Sequence, residues 1–207
     1  MISQYQHKIL AHFPNVAFNV VAIAASKGGL NAISNIVSAL PSDFPAAILV
    51  VQHLSPLYPS YMAKLLSYHT ALQVKNASSG ELLRPSKVYV AVPDWHLMVN
   101  SNGKVYLSKA AKVNFVRPSA NLLFQSVASS YKTRAIGVVL SGRGTDGVLG
   151  ALTIKKHGGT VIAQDEASCE CFEMPQATIN TGKVDFVLPP NAIAATLISL
   201  VMAERVA

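Results

Sequence analysis

The chain has 207 residues, of which 51% are hydrophobic and 13% charged, and it carries a formal net charge of +7. This composition excludes a disordered chain, and the length suits one domain that buries a substantial core. The apolar runs are too short to span a bilayer, and the first residues lack the basic and apolar regions of a signal peptide. We therefore expect a cytoplasmic protein that is not inserted into a membrane.

The positive charge is spread along the sequence. The longest basic run is Lys155-Lys156, and no aromatic residues alternate with basic ones to form a stacking platform for bases. We therefore expect no nucleic-acid partner. An acidic protein surface near a membrane accounts for the charge at least as well.

Short apolar runs alternate with stretches of helical period along the chain. The predicted strands are Val20–Ala24, Ala47–Val51, Gln73–Asn76, Ala135–Leu140, Thr160–Ala163 and Asp185–Leu188. The predicted helices are Gly28–Leu40, Pro59–Tyr68, Ser119–Tyr131, Asp146–His157, Pro175–Thr181 and Asn191–Glu204. Strands this apolar, separated by helices, favour parallel pairing with helices on both faces of the sheet.

The middle of the chain has a different pattern, with short runs at Lys87–Ala91, His96–Asn100 and Lys104–Ser108. The turn-prone Ser101-Asn102-Gly103 separates the last two runs and predicts a hairpin, so we expect a short antiparallel edge on the sheet. The predicted fold class is α/β, a doubly wound, mostly parallel sheet in a Rossmann-like arrangement of three layers. No repeat or long linker divides the chain, which predicts a single domain over residues 1–207 with its core at about 20–201.

The first predicted strand runs directly into Ser26, and two glycines and a helical period follow. A hydroxyl at such a turn stands at the carboxyl edge of a sheet, beside the unpaired N–H groups of the next helix. Open α/β sheets bind their ligands at this edge, where a serine nucleophile finds backbone donors for an oxyanion. Taken alone, the segment is better explained by Ser26 as a helix N-cap.

Two more strand ends carry chemically competent side chains. His53 follows the second predicted strand, where an imidazole can accept a proton from Ser26. Asp146 lies in a glycine-rich turn after Ala135–Leu140, where a carboxylate can hold an imidazole in one tautomer. Taken singly, a turn histidine with a satisfied hydrogen bond and a helix N-cap are the simpler interpretations of these two residues. The other histidines close no predicted core strand and are weaker candidates for a base: His7, His12, His69, His96 and His157.

Two interpretations of these three residues are about equally well supported by their chemistry and positions. They form a Ser–His–Asp hydrolase site, or each has a separate structural role. Their order differs from that of α/β-hydrolases, and Gly-x-Ser-x-Gly is absent. The sequence also lacks G-x-G-x-x-G for a dinucleotide and G-K-[ST] for a P-loop. Cys169 and Cys171 have no further Cys or His close in sequence to complete a zinc site, so we expect ordinary reduced thiols.

Several sequence blocks occur in a specific order: Ala24-Ala-Ser26-Lys-Gly-Gly29, Gln52-His53, Pro93-Asp94-x-His96, Arg117-Pro-Ser119, Leu140-Ser-Gly-Arg-Gly-Thr-Asp146-Gly147, Ala163-Gln-Asp-Glu-Ala-Ser168 and Met174-Pro175. Together they resemble the catalytic domain of bacterial chemotaxis protein-glutamate methylesterases of the CheB type. The resemblance extends from about Val20 to Val201.

This resemblance implies that Ser26 is the nucleophile, His53 the base and Asp146 the carboxylate that orients it. The backbone N–H groups near Lys27 and Arg143 would hold the oxyanion. It also implies hydrolysis of γ-glutamyl methyl esters on methylated chemoreceptor helices, with release of methanol, and deamidation of receptor glutamines. We expect no metal or cofactor.

Members of this family often carry an N-terminal receiver domain. The residues before the first predicted strand are too few to form one, so we expect only the catalytic domain in this chain. The partners implied are the cytoplasmic helices of methylated chemoreceptors, together with a separate receiver domain or other chemotaxis signalling proteins.

The chain departs from the family pattern close to the proposed nucleophile. Ala24 and Glu173 stand where the family usually has Gly, Lys27 where it has a small residue and Arg143 where it has Met. The two added cations would favour an anionic intermediate and alter which receptor segment is accepted, and Glu173 places a carboxylate near the site. The alternative function is therefore a catalytically weak or inactive signalling module that binds receptor helices.

Overall fold

The computed structural model describes residues 18–54 and 59–203. Residues 1–17 and the predicted end of the last helix at Glu204 lie outside these ranges. The strands are β1 (Asn19–Ala25), β2 (Ala46–Gln52), β3 (Gln73–Asn76), β4 (Lys87–Val90), β5 (His96–Val99), β6 (Val105–Ser108), β7 (Ala135–Val139), β8 (Thr160–Gln164) and β9 (Phe186–Leu188). The helices are α1 (Gly29–Ser38), α2 (Met62–Ser67), α3 (Ala120–Tyr131), α4 (Val148–Lys156), α5 (Glu173–Ile179) and α6 (Pro190–Ala203).

One parallel sheet of seven strands, in the order β3-β4-β2-β1-β7-β8-β9, forms the centre of the molecule. Every residue of β1 is buried, because this strand is central and helices cover both faces. Val21 and Ile23 join an apolar cluster with residues of α1, α2 and α6. Val20 and Ala22 join a second cluster with residues of α3 and α4. The predicted α/β fold class is confirmed.

The antiparallel hairpin is present, but it does not extend the edge of the main sheet as predicted. Strands β5 and β6 form a separate sheet of two strands, and Val99 N donates to Ser126 Oγ of α3 at 3.1 Å. The physical reason is that the hairpin packs on α3. Leu97 and Val105 are buried in the second apolar cluster, which includes residues of α3, whereas Tyr106 is exposed. The preceding short run forms β4, which pairs in parallel with β2 and β3.

The carboxyl ends of β1, β2 and β7 meet at one edge of the sheet, since these strands are parallel neighbours. Helix α1 follows β1 and belongs to one apolar cluster, whereas α4 follows β7 and belongs to the other. The chain therefore leaves β1 and β7 toward opposite faces, which opens a crevice of the kind that binds ligands in open α/β sheets. Ser26, His53 and the segment 140–147 all lie at this edge.

Within residues 18–54 and 59–203, no helix has both the length and the apolar character that crossing a membrane demands. Helix α6, at 14 residues, falls short of the roughly 20 needed for a span.

Candidate active site

Ser26 is the first residue after β1, and its backbone is held from two sides. Its N–H donates to Ser141 O at 3.0 Å, and its carbonyl accepts from Gln52 Nε2 at 2.5 Å. Gly142 approaches so closely that a Cβ there would lie 2.8 Å from the Ser26 Cβ. The N-cap of α1 is Gly28, with φ of 78° and no side-chain capping bond. The interpretation of Ser26 as the helix N-cap is therefore wrong.

His53 follows β2 and continues its pairing with β1, because its N–H donates to Ala25 O at 3.0 Å. This bond places His53 beside Ser26 at the edge of the sheet. The ring is mostly buried, and Nε2 lies 2.9 Å from Asp146 Oδ2. With Nε2 donating to the carboxylate, Nδ1 is the ring nitrogen that keeps a lone pair. The structure thus brings together two of the predicted site residues in direct contact.

The Asp146 carboxylate is buried and accepts four hydrogen bonds. Oδ2 accepts from His53 and from Ala120 N at 2.6 Å, and Oδ1 accepts from Ser119 Oγ at 2.8 Å and Asn121 N at 3.0 Å. Burial alone would raise the pKa of Asp146, but the hydrogen bonds from His53, Ala120, Asn121 and Ser119 outweigh it and hold the pKa below its ordinary value. Asp146 is therefore ionised beside the imidazole at neutral pH.

Asp146 does not cap its own helix, contrary to the simpler interpretation of the sequence. Helix α4 has Gly147 as its N-cap, with φ of 111°. The Asp146 carboxylate instead satisfies the first amides of α3, while Asn121 Oδ1 of α3 accepts from Gly147 N at 3.1 Å and Gly150 N at 2.8 Å. Each helix start is thus satisfied by a side chain from the other, which locks α3 and α4 together behind the site.

Sequence reasoning missed the support that His96 gives to this carboxylate. His96 is fully buried in β5, and its Nδ1 accepts from Ser119 N at 3.1 Å while Nε2 lies 3.1 Å from Ala111 O. Ser119 in turn donates its hydroxyl to Asp146. The signal was available in two of the sequence blocks, Pro93-Asp94-x-His96 and Arg117-Pro-Ser119. His96 is therefore a structural residue behind the site.

Arg117 ties the same two blocks together. Its Nη2 donates to Asp94 Oδ1 at 2.6 Å, and its Nη1 donates to the carbonyls of Lys109 and Ala110 at 2.8 Å each. The hydrogen bond from Arg117 is the main reason that the pKa of Asp94 is lowered. These bonds fix the loop between β6 and α3, which forms one wall of the site.

Lys27 and Arg143 both lie beside Ser26. Their positive charges are not free, because each side chain is paired with a glutamate. Lys27 Nζ is 3.8 Å from Glu170 Oε1, and Arg143 Nε is 3.3 Å from Glu173 Oε1. The backbone N–H groups of Lys27 and Arg143 donate no hydrogen bond among those formed within residues 18–54 and 59–203. The predicted role of these two amides in holding an oxyanion stays a prediction.

Two depressions share Leu54 in their lining, and the smaller one also includes His53. One is an apolar groove of about 370 Å³ lined by Leu30, Gln52, Leu54, Pro59, Ser60, Tyr61, Met62 and Leu65. The other is a small cleft of about 100 Å³ lined by His53, Leu54, Lys112, Phe115, Val116 and Arg117. Phe115 is 95% exposed at the tip of the turn Val113–Val116. An apolar surface thus borders the candidate site.

The two cysteines lie near this site as free thiols. Burial is the main cause that raises the pKa of Cys169 to about 11, so this thiol is protonated at neutral pH. Among the described residues, no group of three or more His, Cys, Asp or Glu side chains is arranged to hold a metal ion.

Several known proteins are similar to this chain. The curated relatives include a protein-glutamate methylesterase/protein-glutamine glutaminase of Thermotoga maritima, 42% identical over 191 residues, which cover 91% of this chain and 56% of the relative. Another, from Anaeromyxobacter dehalogenans, carries the same name with the number 3 and is 44% identical over 179 residues, covering 86% of this chain and 52% of the relative. The chain thus spans about half the length of these relatives.

A solved structure is also similar. The crystal structure of the Thermotoga maritima CheB methylesterase catalytic domain matches with a TM-score of 0.87 and 42% identity, and the match covers 90% of this chain and 100% of that one. The family model for CheB methylesterase matches residues 21–197, a range that includes the strand ends carrying Ser26, His53 and Asp146. The chain therefore belongs to the CheB methylesterase family.

Proposed function

We propose that this chain is a serine hydrolase that removes methyl groups from glutamyl methyl esters of chemoreceptor helices, releasing methanol. The observation that carries the proposal is the buried contact between His53 Nε2 and Asp146 Oδ2, 2.9 Å long, at the strand end next to Ser26. The names of the relatives support the same reaction and add protein-glutamine glutaminase activity. Deamidation of receptor glutamines uses the same acyl transfer, with ammonia as the leaving group.

In the proposed cycle, Ser26 Oγ attacks the ester carbonyl while His53 Nδ1 takes the hydroxyl proton. Asp146 stabilises the imidazolium that forms, because its carboxylate is ionised and already hydrogen-bonded to Nε2. The amides of Lys27 and Arg143 hold the oxyanion of the tetrahedral intermediate. His53 returns the proton to the departing methoxide, and methanol leaves an acyl-enzyme on Ser26.

Deacylation reverses these roles. His53 Nδ1 removes a proton from water, the hydroxide attacks the acyl carbon, and the proton passes to Ser26 Oγ as the glutamic acid side chain is released. The released acid then ionises and gives its remaining proton to solvent. Every proton in this cycle is carried by the chain's own residues and by water. The proposed partners are cytoplasmic chemoreceptor helices, with a receiver domain or other chemotaxis proteins, and the proposed location is the cytoplasm.

The decisive experiment is methanol release from methylated receptor by the wild type and Ser26→Ala. We expect the substitution to lower the rate by about three orders of magnitude or more, since no other group replaces the nucleophile. The free energy of unfolding should change by less than about 0.5 kcal/mol, because Ser26 does not cap α1. Ser129→Ala, which removes an exposed hydroxyl bonded to Gln125 O, is the matched control and should keep full activity.

Two results would contradict the proposal. If Ser26→Ala kept most of the wild-type activity, another residue would be the nucleophile. If the wild type bound methylated receptor but released no methanol, the chain would instead be the inactive signalling module that its departures from the family pattern suggest.

A further inference from the structure

The side chain of Glu173 lies in a cradle that the glycine-rich turn after β7 forms around a carboxylate. Glu173 Oε2 accepts a hydrogen bond from Gly144 N at 3.0 Å, and Oε1 is 3.3 Å from Arg143 Nε. One carboxylate oxygen thus accepts from a backbone amide, and the other forms an ion pair with a guanidinium. Backbone N–H groups and guanidinium groups arranged in this way are typical anion-binding elements.

This cradle adjoins the proposed nucleophile. Gly142, the residue before Arg143, is in close contact with Ser26, since a Cβ at 142 would lie 2.8 Å from the Ser26 Cβ. The segment that carries Glu173 is held against the same turn, because Gly142 N donates to Cys171 O at 2.8 Å and Met174 N donates to Gly142 O at 3.0 Å. A carboxylate on a residue next to the scissile ester can therefore reach Arg143.

The internal ion pair is exposed, which makes it replaceable. The Arg143 side chain is 72% exposed and the Glu173 side chain 53%. Ion pairs this accessible to water are weak, so a carboxylate from a bound peptide can displace Glu173 from the guanidinium and the Gly144 amide.

We propose that Arg143 and the Gly144 amide form a subsite for a carboxylate flanking the scissile ester, and that Glu173 occupies this subsite as an internal competitor. The inference rests on the proposed function, because it takes a peptide ester as the substrate. Hydrolysis converts each neutral ester into a carboxylate, so a segment with several esters becomes more acidic as it is processed. Glu173 thereby limits the attraction of the site for segments that are already hydrolysed.

The test uses two helical peptides, each with one glutamyl methyl ester, flanked one turn away on both sides by either glutamates or glutamines. The measured quantity is the ratio of kcat/KM for the acidic peptide to kcat/KM for the neutral one, at low ionic strength. Glu173→Gln keeps an oxygen for the Gly144 amide but removes the charge that neutralises Arg143. We expect this variant to raise the ratio by roughly two- to fivefold while kcat on the neutral peptide is unchanged.

Glu81→Gln is the matched control, because it removes the same charge from an ion pair with Lys75. Glu81 lies far from the candidate site. It follows β3, which is the edge strand opposite β9 and is four strand positions from β7. The control should leave the ratio unchanged. An unchanged ratio in Glu173→Gln, or an equal rise in both variants, would overturn the subsite, since the latter would reflect net charge alone.

A binding measurement separates this inference from the proposed function. In the Ser26→Ala background, fluorescence anisotropy gives the affinity for both labelled peptides without hydrolysis. Adding Glu173→Gln should strengthen binding of the acidic peptide by roughly two- to fivefold and leave the neutral one unchanged. If the wild type released no methanol from either peptide, the proposed function would fail, and the binding comparison would still decide for or against the subsite.

Discussion

At the scale of single residues, Asp146 links the proposed reaction to the stability of the fold. Its two oxygens accept from His53, Ser119 and the amides of Ala120 and Asn121. An asparagine could not replace it, because each carboxylate oxygen faces two donors, and the NH₂ group would oppose two of them in either orientation. Buried donors left without an acceptor carry a penalty of about 1–3 kcal/mol each.

We therefore predict that Asp146→Asn lowers both activity and stability. The rate should fall by several orders of magnitude, because the imidazole loses its orienting carboxylate. The free energy of unfolding, measured with urea at pH 7, should fall by about 1–3 kcal/mol. Asp43→Asn, at an exposed position, should change neither quantity. A variant that kept wild-type activity would show that Asp146 serves only to satisfy the start of α3.

The loss of stability in Asp146→Asn depends on pH, and it should become smaller in acid. The folded-state pKa of Asp146 lies below the ordinary value of 3.8, so the ionised form stabilises the fold above the unfolded-state pKa. This contribution is lost as the pH falls through the folded-state pKa. The gap in unfolding free energy between the wild type and Asp146→Asn should therefore shrink as the pH falls below about 4. A gap that stayed constant below about pH 4 would contradict the lowered pKa.

His96 is a positioning residue, because it holds Ser119, which in turn donates to Asp146. His96→Leu leaves the buried Ser119 amide without an acceptor, which should cost about 1–3 kcal/mol of stability. Through Ser119 it should also lower kcat by roughly 10- to 100-fold, with a smaller change in KM. His96→Asn places an amide oxygen where Nδ1 accepts and should recover most of the kcat. Equal kcat values for the Leu and Asn variants would contradict the role assigned to the Ser119 hydrogen bond.

The positions of the candidate residues could be predicted from the sequence, but their contacts could not. Ser26, His53 and Asp146 each follow an apolar strand, and parallel pairing brings such strand ends to one edge. The hydrogen bonds that Asp146 accepts depend on where α3 begins relative to β7, and tertiary packing decides this position. The pairing of Arg143 with Glu173 depends on the path of the chain after β8, and no local pattern predicts that path.

At the scale of elements, strands were easier to predict than helix ends. β1 and β2 differ from prediction by one residue at each end, because apolar runs define buried strands well. β3 also has the predicted bounds, although it is partly exposed. Helix α4 begins at Val148 rather than Asp146, since Gly147 adopts φ of 111°. The hairpin β5–β6 was predicted from its turn, but its separation from the main sheet follows from contacts with α3 that lie far away in sequence.

The turn Val113–Val116 combines an exposed side chain with an unfavourable backbone. Asn114 and Phe115 have φ of 48° and 65°, and these values strain residues other than glycine, especially bulky ones. Phe115 gains little from packing, as it is 95% exposed. We predict that Phe115→Gly raises the free energy of unfolding by about 0.5–1 kcal/mol, because relief of strain outweighs the added entropy of the unfolded chain.

Thermal unfolding with Tyr106→Gly as the comparison tests this prediction. Tyr106 is also an exposed aromatic residue, at 53%, but it lies in the extended strand β6, where glycine is unfavourable. Tyr106→Gly should therefore lower the melting temperature while Phe115→Gly raises it. A loss of stability in both variants would mean that the Phe115 ring makes a stabilising contact that outweighs the strain.

At the scale of the whole molecule, the net charge of +7 is not concentrated in free cations next to Ser26. Lys27 and Arg143 are each paired with a glutamate from the segment after β8. Lys112 lines the cleft that His53 also lines, and Lys109 lies over the Trp95 ring at 4.8 Å. If the domain docks on an acidic surface, as proposed, its summed charge should therefore contribute more than the two residues that depart from the family pattern.

This distribution predicts how salt affects two kinds of substrate. Raising the ionic strength from about 0.02 to 0.5 M shortens the Debye length from roughly 20 Å to about 4 Å. The second-order rate constant on methylated receptor should fall about tenfold, because long-range attraction accelerates association of a basic domain with an acidic surface. A small neutral ester should be hydrolysed at nearly the same rate throughout, since it is not steered and salt screens the mostly buried contact between His53 and Asp146 very little. If salt lowered both rates equally, the loss of rate would arise at the catalytic site itself. The basic charge of the domain would then have no part in docking.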